Sequence, residues 1–168
     1  MTSSGLGVVI NRRVPVGTVP FKDVFVGFEK VGAVKSIFGR RTSSVLTELK
    51  VEVEVGRGYM RINDEEGSLI VSVEYLREGE ETHLYLDVVH ELVHIRQHME
   101  GKELWDRRYA YVDRPTEVEA YKLALQEARR LGLAEKEIVT YLEVPWVTAE
   151  EFQRFLKTLG VRSRRTKH

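Results

Sequence analysis

His90 and His94 stand four residues apart, with Glu91 beside the first, in the run His90-Glu91-Leu92-Val93-His94. On a helix, two side chains four apart lie one turn above each other, so both imidazoles can reach one divalent ion at about 2.0 to 2.1 Å. The intervening glutamate is placed to act on a water beside that ion, which is the arrangement zinc hydrolases use. A random shuffle of this composition would produce the pattern in about 2% of cases, so chance is a poor explanation. Projected at about 100° per residue, Leu84, Val88, Leu92, Ile95 and Met99 form one apolar stripe and the histidines oppose it. Val89 and Val93 add a second apolar flank. The helix is therefore expected to be buried on more than one side, with both histidines facing an enclosed cleft.

Two imidazoles do not complete a catalytic zinc site; a third protein ligand is needed, with the fourth position left for water. The chain has no cysteine, so that ligand is a histidine or a carboxylate. His98 lies one further turn along the same helix, too far for three ligands in a row to converge on a tetrahedral ion, and is assigned to the rim or surface. The better candidates are Glu117 and Glu119, 23 and 25 residues after His94. Glu117 shares a helix face with Ala120, Tyr121, Ala124, Ala128 and Leu131, whereas Glu119 shares the opposite face with Lys122, Gln126 and Arg130. A carboxylate heading an apolar stripe is unfavourable to bury unless it binds a cation. Small alanines would let this helix approach its neighbour closely. Glu119 has another use, since Thr116 and Glu119 have the spacing of a capping box. The reading favours Glu117, with Glu119 as the alternative.

Together, His90-Glu91-Leu92-Val93-His94 and Glu117-Val118-Glu119-Ala120 resemble the gluzincin branch of the zincin metallopeptidases, over residues 68 to 131. The resemblance implies His90, His94 and Glu117 as zinc ligands, Glu91 as general base, one zinc ion per chain, and a protein or peptide as substrate. The chain departs from that pattern at Tyr121, where many members carry an aspartate that orients a ligand histidine; Asp87 and Asp113 are possible replacements. The small size is similar to that of the minimal zincins, and the Glu-x-Glu-Ala form to intracellular regulatory zincins that act on repressor proteins. Hydrolysis of an amide would proceed by a metal-activated water with Glu91 moving its proton. Tyr109, Tyr111, Arg107, Arg108 and Arg114, between the two site helices, are candidates for stabilising the oxyanion. Two further classes compete with a peptidase. One is a catalytically silent zincin-like domain that binds metal and regulates or binds a partner; the other is an interaction module in which the histidine motif is accidental.

The elements around these residues fall into two halves. Leu49, Val51, Val53 and Val55 alternate with Lys50, Glu52 and Glu54, the period of a strand with one wet face. A turn at Gly56-Arg57-Gly58, a returning strand Tyr59 to Ile62, a polar turn Asn63 to Gly67 and a third strand through Leu69, Val71, Val73 and Tyr75 together predict an antiparallel meander. If Leu69 to Leu76 lies at the sheet edge, an extended peptide could add to it as a further strand. Upstream, Val24 to Phe28 reads as a strand, Val31 to Phe38 as a short helix or strand, and the opening through Pro20 as irregular. Arg77 to Thr82 reads as a charged connection. From there the period is helical: 84 to 99 stopped by Gly101, Pro115 to Leu131 closed by Gly132, Ala134 to Leu142, and Ala149 to Leu159 opened by a Thr148/Glu151 capping box. The expected fold class is α+β, an antiparallel sheet followed by an active-site helix and further helices, in one zincin-like domain over residues 1–160.

Twenty-six basic residues balance 26 acidic ones among 168, so no global field draws the chain to nucleic acid or a membrane surface. The basic concentration is in residues 161–168 and reads as a mobile tail. No apolar run reaches the roughly 18 to 20 residues a membrane helix needs, and the N-terminus lacks the charged flank of a signal peptide. A cytoplasmic protein is expected.

Overall fold

A computed structural model describes residues 5–56 and 58–163. In chain order its elements are β1 (Val9–Ile10), β2 (Gly17–Pro20), α1 (Phe21–Val24), β3 (Phe25–Val26), α2 (Gly32–Phe38), α3 (Thr42–Glu48), β4 (Lys50–Glu54), β5 (Met60–Asn63), β6 (Ser68–Ser72), α4 (Val73–Glu78), α5 (Glu81–Met99), α6 (Pro115–Arg130), α7 (Glu135–Leu142) and α8 (Ala149–Thr158). The fold is mixed α/β with small sheets.

The predicted meander is corrected by the pairing. The larger sheet runs β2-β4-β6-β5, with β4 and β6 parallel and β5 antiparallel to β6. The chain leaves β4, passes to the outer edge as β5, and returns into the middle as β6. The reason lies in composition. All five residues of β6 are buried, including the continuous run Leu69, Ile70 and Val71, and a strand apolar on both faces belongs inside a sheet. In β5 only Ile62 is buried, which suits an edge. Leu69 to Leu76 is therefore not the edge strand. It also stops being a strand at Ser72, whose hydroxyl accepts from the Tyr75 amide and caps α4, so Val73 and Tyr75 are helical. The polar turn before β6 is present: Gly67 donates its amide to Asn63 at 2.8 Å with φ +70°, a conformation that favours glycine.

Upstream of β4 the structure holds more order than the sequence announces. The opening is not irregular, because β1 pairs with β3 and β2 forms the second edge of the larger sheet. Only Phe25–Val26 of the expected Val24 to Phe28 strand is extended; Phe28–Lys30 is a 3-10 turn, and Val31 to Phe38 resolves as helix α2. Phe21, Phe25 and Phe28 meet at ring-centroid distances of 5.2 to 6.0 Å, and Phe28 stacks on Tyr85 of α5 at 5.5 Å. This aromatic knot anchors the N-terminal layer to the site helix.

Glu80 caps α5 by accepting from the amides of Thr82 and His83, and Gly101, at φ +75°, ends it. The helix is buried along nearly its whole length, packing on α6, α2, β5 and β6. Pro115 opens α6 at its first turn. Ala120, Ala124 and Ala128 of α6 are fully buried, so its backbone comes close to α5, and Tyr85 donates to Glu127 at 2.6 Å across the pair. The Thr148/Glu151 capping box of α8 is formed. Packing continues to Val161, and the Arg162 amide donates to Glu135 at 3.0 Å; residues 164–168, with most of the expected basic tail, lie outside the described residues. Among the described residues no helix is long and apolar enough to cross a membrane.

Candidate metal centre

His90 and His94 project from consecutive turns of α5, and Glu117 comes from the first turn of α6. Their relative exposures are 5%, 3% and 3%. The Nε2 atoms of the two rings are 3.1 Å apart; Glu117 Oε1 is 3.1 Å from His94 Nε2, and Oε2 is 3.2 Å from His90 Nε2. Ligands at about 2.0 to 2.1 Å around a tetrahedral ion are separated by about 3.3 Å. The two imidazole nitrogens and the Glu117 carboxylate thus stand close to the spacing of ligands around one such ion. Glu117 Oε2 is buried with no hydrogen-bond partner among the described residues, an orphaned acceptor that a cation would satisfy. A buried His-His-Glu group of this kind could hold a metal ion, and it is the one such group among the described residues.

Glu119 is not part of it. It lies on the exposed side of α6, ion-paired to Arg96 at 2.6 Å and accepting from Gln97 at 2.7 Å. His98 is half-buried beside the Gly67 turn, away from the cluster.

The sequence reading missed Gln97, which is fully buried and fixes the second histidine. Its amide nitrogen donates to the Thr116 carbonyl at 3.1 Å and to Glu119 at 2.7 Å, so its oxygen is left to accept. His94 Nδ1–H therefore donates to that oxygen at 2.7 Å, which turns Nε2 toward the cluster. Neither aspartate proposed for this task performs it. Asp113 is bound by Arg154 at 2.7 and 2.9 Å, and Asp87 accepts from Tyr75 and from Tyr141, the latter at 2.7 Å. Among the described residues His90 Nδ1 has no hydrogen-bond partner; Tyr121, at the departure from the gluzincin pattern, packs its ring on His90 with centroids 4.2 Å apart.

The charges are strongly coupled. Burial alone would raise the Glu117 carboxyl, but the two imidazoles beside it hold it far below the ordinary range. Burial alone would lower His94, and Glu117, Glu91 and Gln97 instead raise it to about 9. Glu91 is buried, with Oε1 4.0 Å from His90 Nε2, and burial pushes its pKa well above the usual carboxylate value despite the opposing pull of His94.

These groups open into a cleft of about 550 Å³. Its walls come from β5 (Met60, Arg61), α4 (Tyr75), α7 (Tyr141) and the segment between α5 and α6 (Trp105, Tyr111). Of the five candidates for oxyanion stabilisation only Tyr111 lines it, its hydroxyl 2.7 Å from that of Tyr121. Arg108 is engaged by Asp106 at 2.8 Å, and Arg114 reaches the Asp106 carbonyl at 3.4 Å. A helix wheel could have found Gln97, three residues after His94 on the same face. Nothing local announces Tyr141, which arrives from 54 residues away.

Comparison of the chain with protein-family models, with curated proteins and with solved structures returned no match in any of the three.

Proposed function

We propose that the chain is a zinc-dependent peptidase of zincin-like type, with His90, His94 and Glu117 holding the ion and Glu91 as general base. The observation that carries this reading is the buried cluster of two imidazole nitrogens and one carboxylate, with contacts of 3.1 to 3.2 Å, and Glu91 beside it at the wall of a cleft. A zinc ion held there would lower the pKa of a water toward about 7 and polarise a carbonyl. Sets of two histidines and one carboxylate also accept other divalent ions, and zinc is the choice of the gluzincin resemblance.

The chain's own residues supply the rest. Glu91 takes the proton of the attacking water and returns it to the leaving amine. Tyr111, kept protonated by burial, donates toward the oxygen on which charge develops. Gln97 and Glu119 keep His94 in the tautomer with Nε2 free. The peptide lies along β5, which is paired on one side only and contributes Met60 and Arg61 to the cleft.

One observation favours a second reading, a metal-binding zincin-like domain that recognises a protein without cleaving it. No described residue orients His90 at Nδ1, the position a carboxylate or carbonyl fills in most histidine–zinc sites. Peptide-library cleavage by the zinc-loaded chain, compared with Glu91→Gln, separates the two. The peptidase reading expects loss of about 10²-fold or more in kcat with zinc content unchanged. Activity that survives the substitution would remove Glu91 from the mechanism, and no cleavage by the unaltered chain would leave the second reading.

A further inference from the structure

Asp87 lines the same cleft and has no part in the reaction just described. It sits on α5 one turn before His90, about 4.5 Å back along the axis. Tyr75 donates to its Oδ2, and Tyr141 donates to its Oδ1 at 2.7 Å. A carboxylate has about four lone-pair directions, so about two remain open. Among the described residues no lysine or arginine pairs with it. The groups able to carry positive charge that act on it are His90 and His83. His90 belongs to the metal cluster, and His83 lies 3.8 Å from Glu80. Asp87 is half-buried, and a carboxylate partly withdrawn from water is unfavourable without a counter-cation, which none of the described residues supplies as an ion pair.

Two independent features of the cleft point to the missing partner. Its side chains are aromatic at this end: the hydroxyls of Tyr75 and Tyr141 meet the carboxylate, Tyr75 meets Tyr59 edge-on at 5.2 Å, and Tyr141 meets His83 at 5.4 Å. Aromatic faces attract cations within about 6 Å of the centroid. The charged groups point the same way: Asp87 and Glu143 both line the cleft, and Arg61, the one lysine or arginine among its described lining residues, is held by Glu54 at 2.7 Å.

We propose that Asp87, oriented by Tyr75 and Tyr141, forms a subsite for a cationic nitrogen of the substrate, an alkylammonium or a guanidinium. The proposal rests on the peptidase reading for the nature of the substrate. The offset of about 4.5 Å between Asp87 and His90 lies between one and two residues of extended chain at about 3.3 to 3.6 Å each, so the cation belongs to a residue near the bond cleaved. A lysine or arginine side chain and a free N-terminal amine present the same chemistry.

The test uses the zinc-loaded chain and three small probes of matched length, n-pentylammonium, n-pentylguanidinium and n-pentanol, titrated by NMR. Both cations should bind at least about tenfold more tightly than the alcohol, the scale of one hydrogen bond to a charged group. In Asp87→Asn that ratio should fall to about three or less with zinc content retained. A wild-type ratio near one overturns the proposal without any variant, so it remains decidable if Asp87→Asn does not fold. It is also overturned if Asp87→Asn loses zinc and keeps the cation preference, which would make Asp87 a support for His90. In parallel, N-acetylated peptides bearing lysine, arginine or norleucine are compared for kcat/KM. A cationic preference of about tenfold that disappears in Asp87→Asn assigns the subsite to a side chain; a preference for unacetylated over acetylated norleucine peptides, lost in the same variant, assigns it to the terminal amine. Probe discrimination through Asp87 with no cleavage of any peptide would retire the peptidase reading and leave the subsite. Cleavage without cation preference and without probe discrimination would do the reverse.

Discussion

In the metal-free protein the proton on His94 competes directly with a metal ion. Burial would drive that proton off, but Glu117 Oε1 at 3.1 Å, Glu91 and the Gln97 carbonyl retain it, raising the pKa from 6.5 to about 9. A ligand imidazole must be neutral, so binding expels the proton. At about pH 7 the metal-free ring is about 99% protonated, and apparent zinc affinity should lie about 100-fold below its limit. Affinity should then rise about tenfold per pH unit between about pH 7 and 9 and level off above. Stability of the metal-free fold must move the other way. The folded pKa is raised above the unfolded one, so the gain is fully present below about pH 6.5 and is lost as pH rises through about 9, a change of about 3 kcal/mol. Competition titration against a chromophoric chelator, corrected for the chelator's own protonation, gives the first profile, and denaturant unfolding without metal gives the second. A zinc affinity flat from about pH 7 to 9, with its break at the ordinary imidazole value, would refute this coupling.

Other perturbations separate the roles of individual residues. Glu117→Ala should lower zinc affinity by about 10²-fold or more, since structural zinc spreads about 10 to 16 kcal/mol over four ligands, whereas Glu119→Ala should stay within about tenfold because it touches the site only through Gln97; chelator competition reads both, and the reverse order would exchange the two glutamates. Gln97→Leu should cost about 10- to 100-fold in the same assay by releasing His94 from its tautomer. Phe28→Ala should destabilise the fold by about 3 to 5 kcal/mol in denaturant unfolding, because it empties the centre of the ring cluster joining the N-terminal layer to α5.

What could be read from the sequence follows from how local each signal is. The helices of the second half declared themselves by period and caps: Pro115, the Thr148/Glu151 box and Gly101 all stand where the sequence puts them. Glu117 could be told from Glu119 because only one of them rides on the alanine face, and the structure sets Glu117 against the histidines while Glu119 pairs with Arg96. Strand order was beyond reach of alternation. The period of β4 fits an antiparallel or a parallel neighbour equally well, and only the two-sided burial of β6 places it in the middle. The run through Val73 and Tyr75 also kept a strand's alternation past Ser72, whose capping hydroxyl turns the chain into α4. Contacts from distant elements, such as Tyr141 on Asp87, leave no trace in local spacing.

The account depends on one ion held by two turns of α5 and the first turn of α6. An anomalous-difference map at the zinc edge, from crystals of untagged protein purified without added metal, tests it most directly. A single peak about 2.0 to 2.2 Å from His90 Nε2, His94 Nε2 and a Glu117 oxygen is the expected result. A peak elsewhere, or none at this cluster, would contradict it.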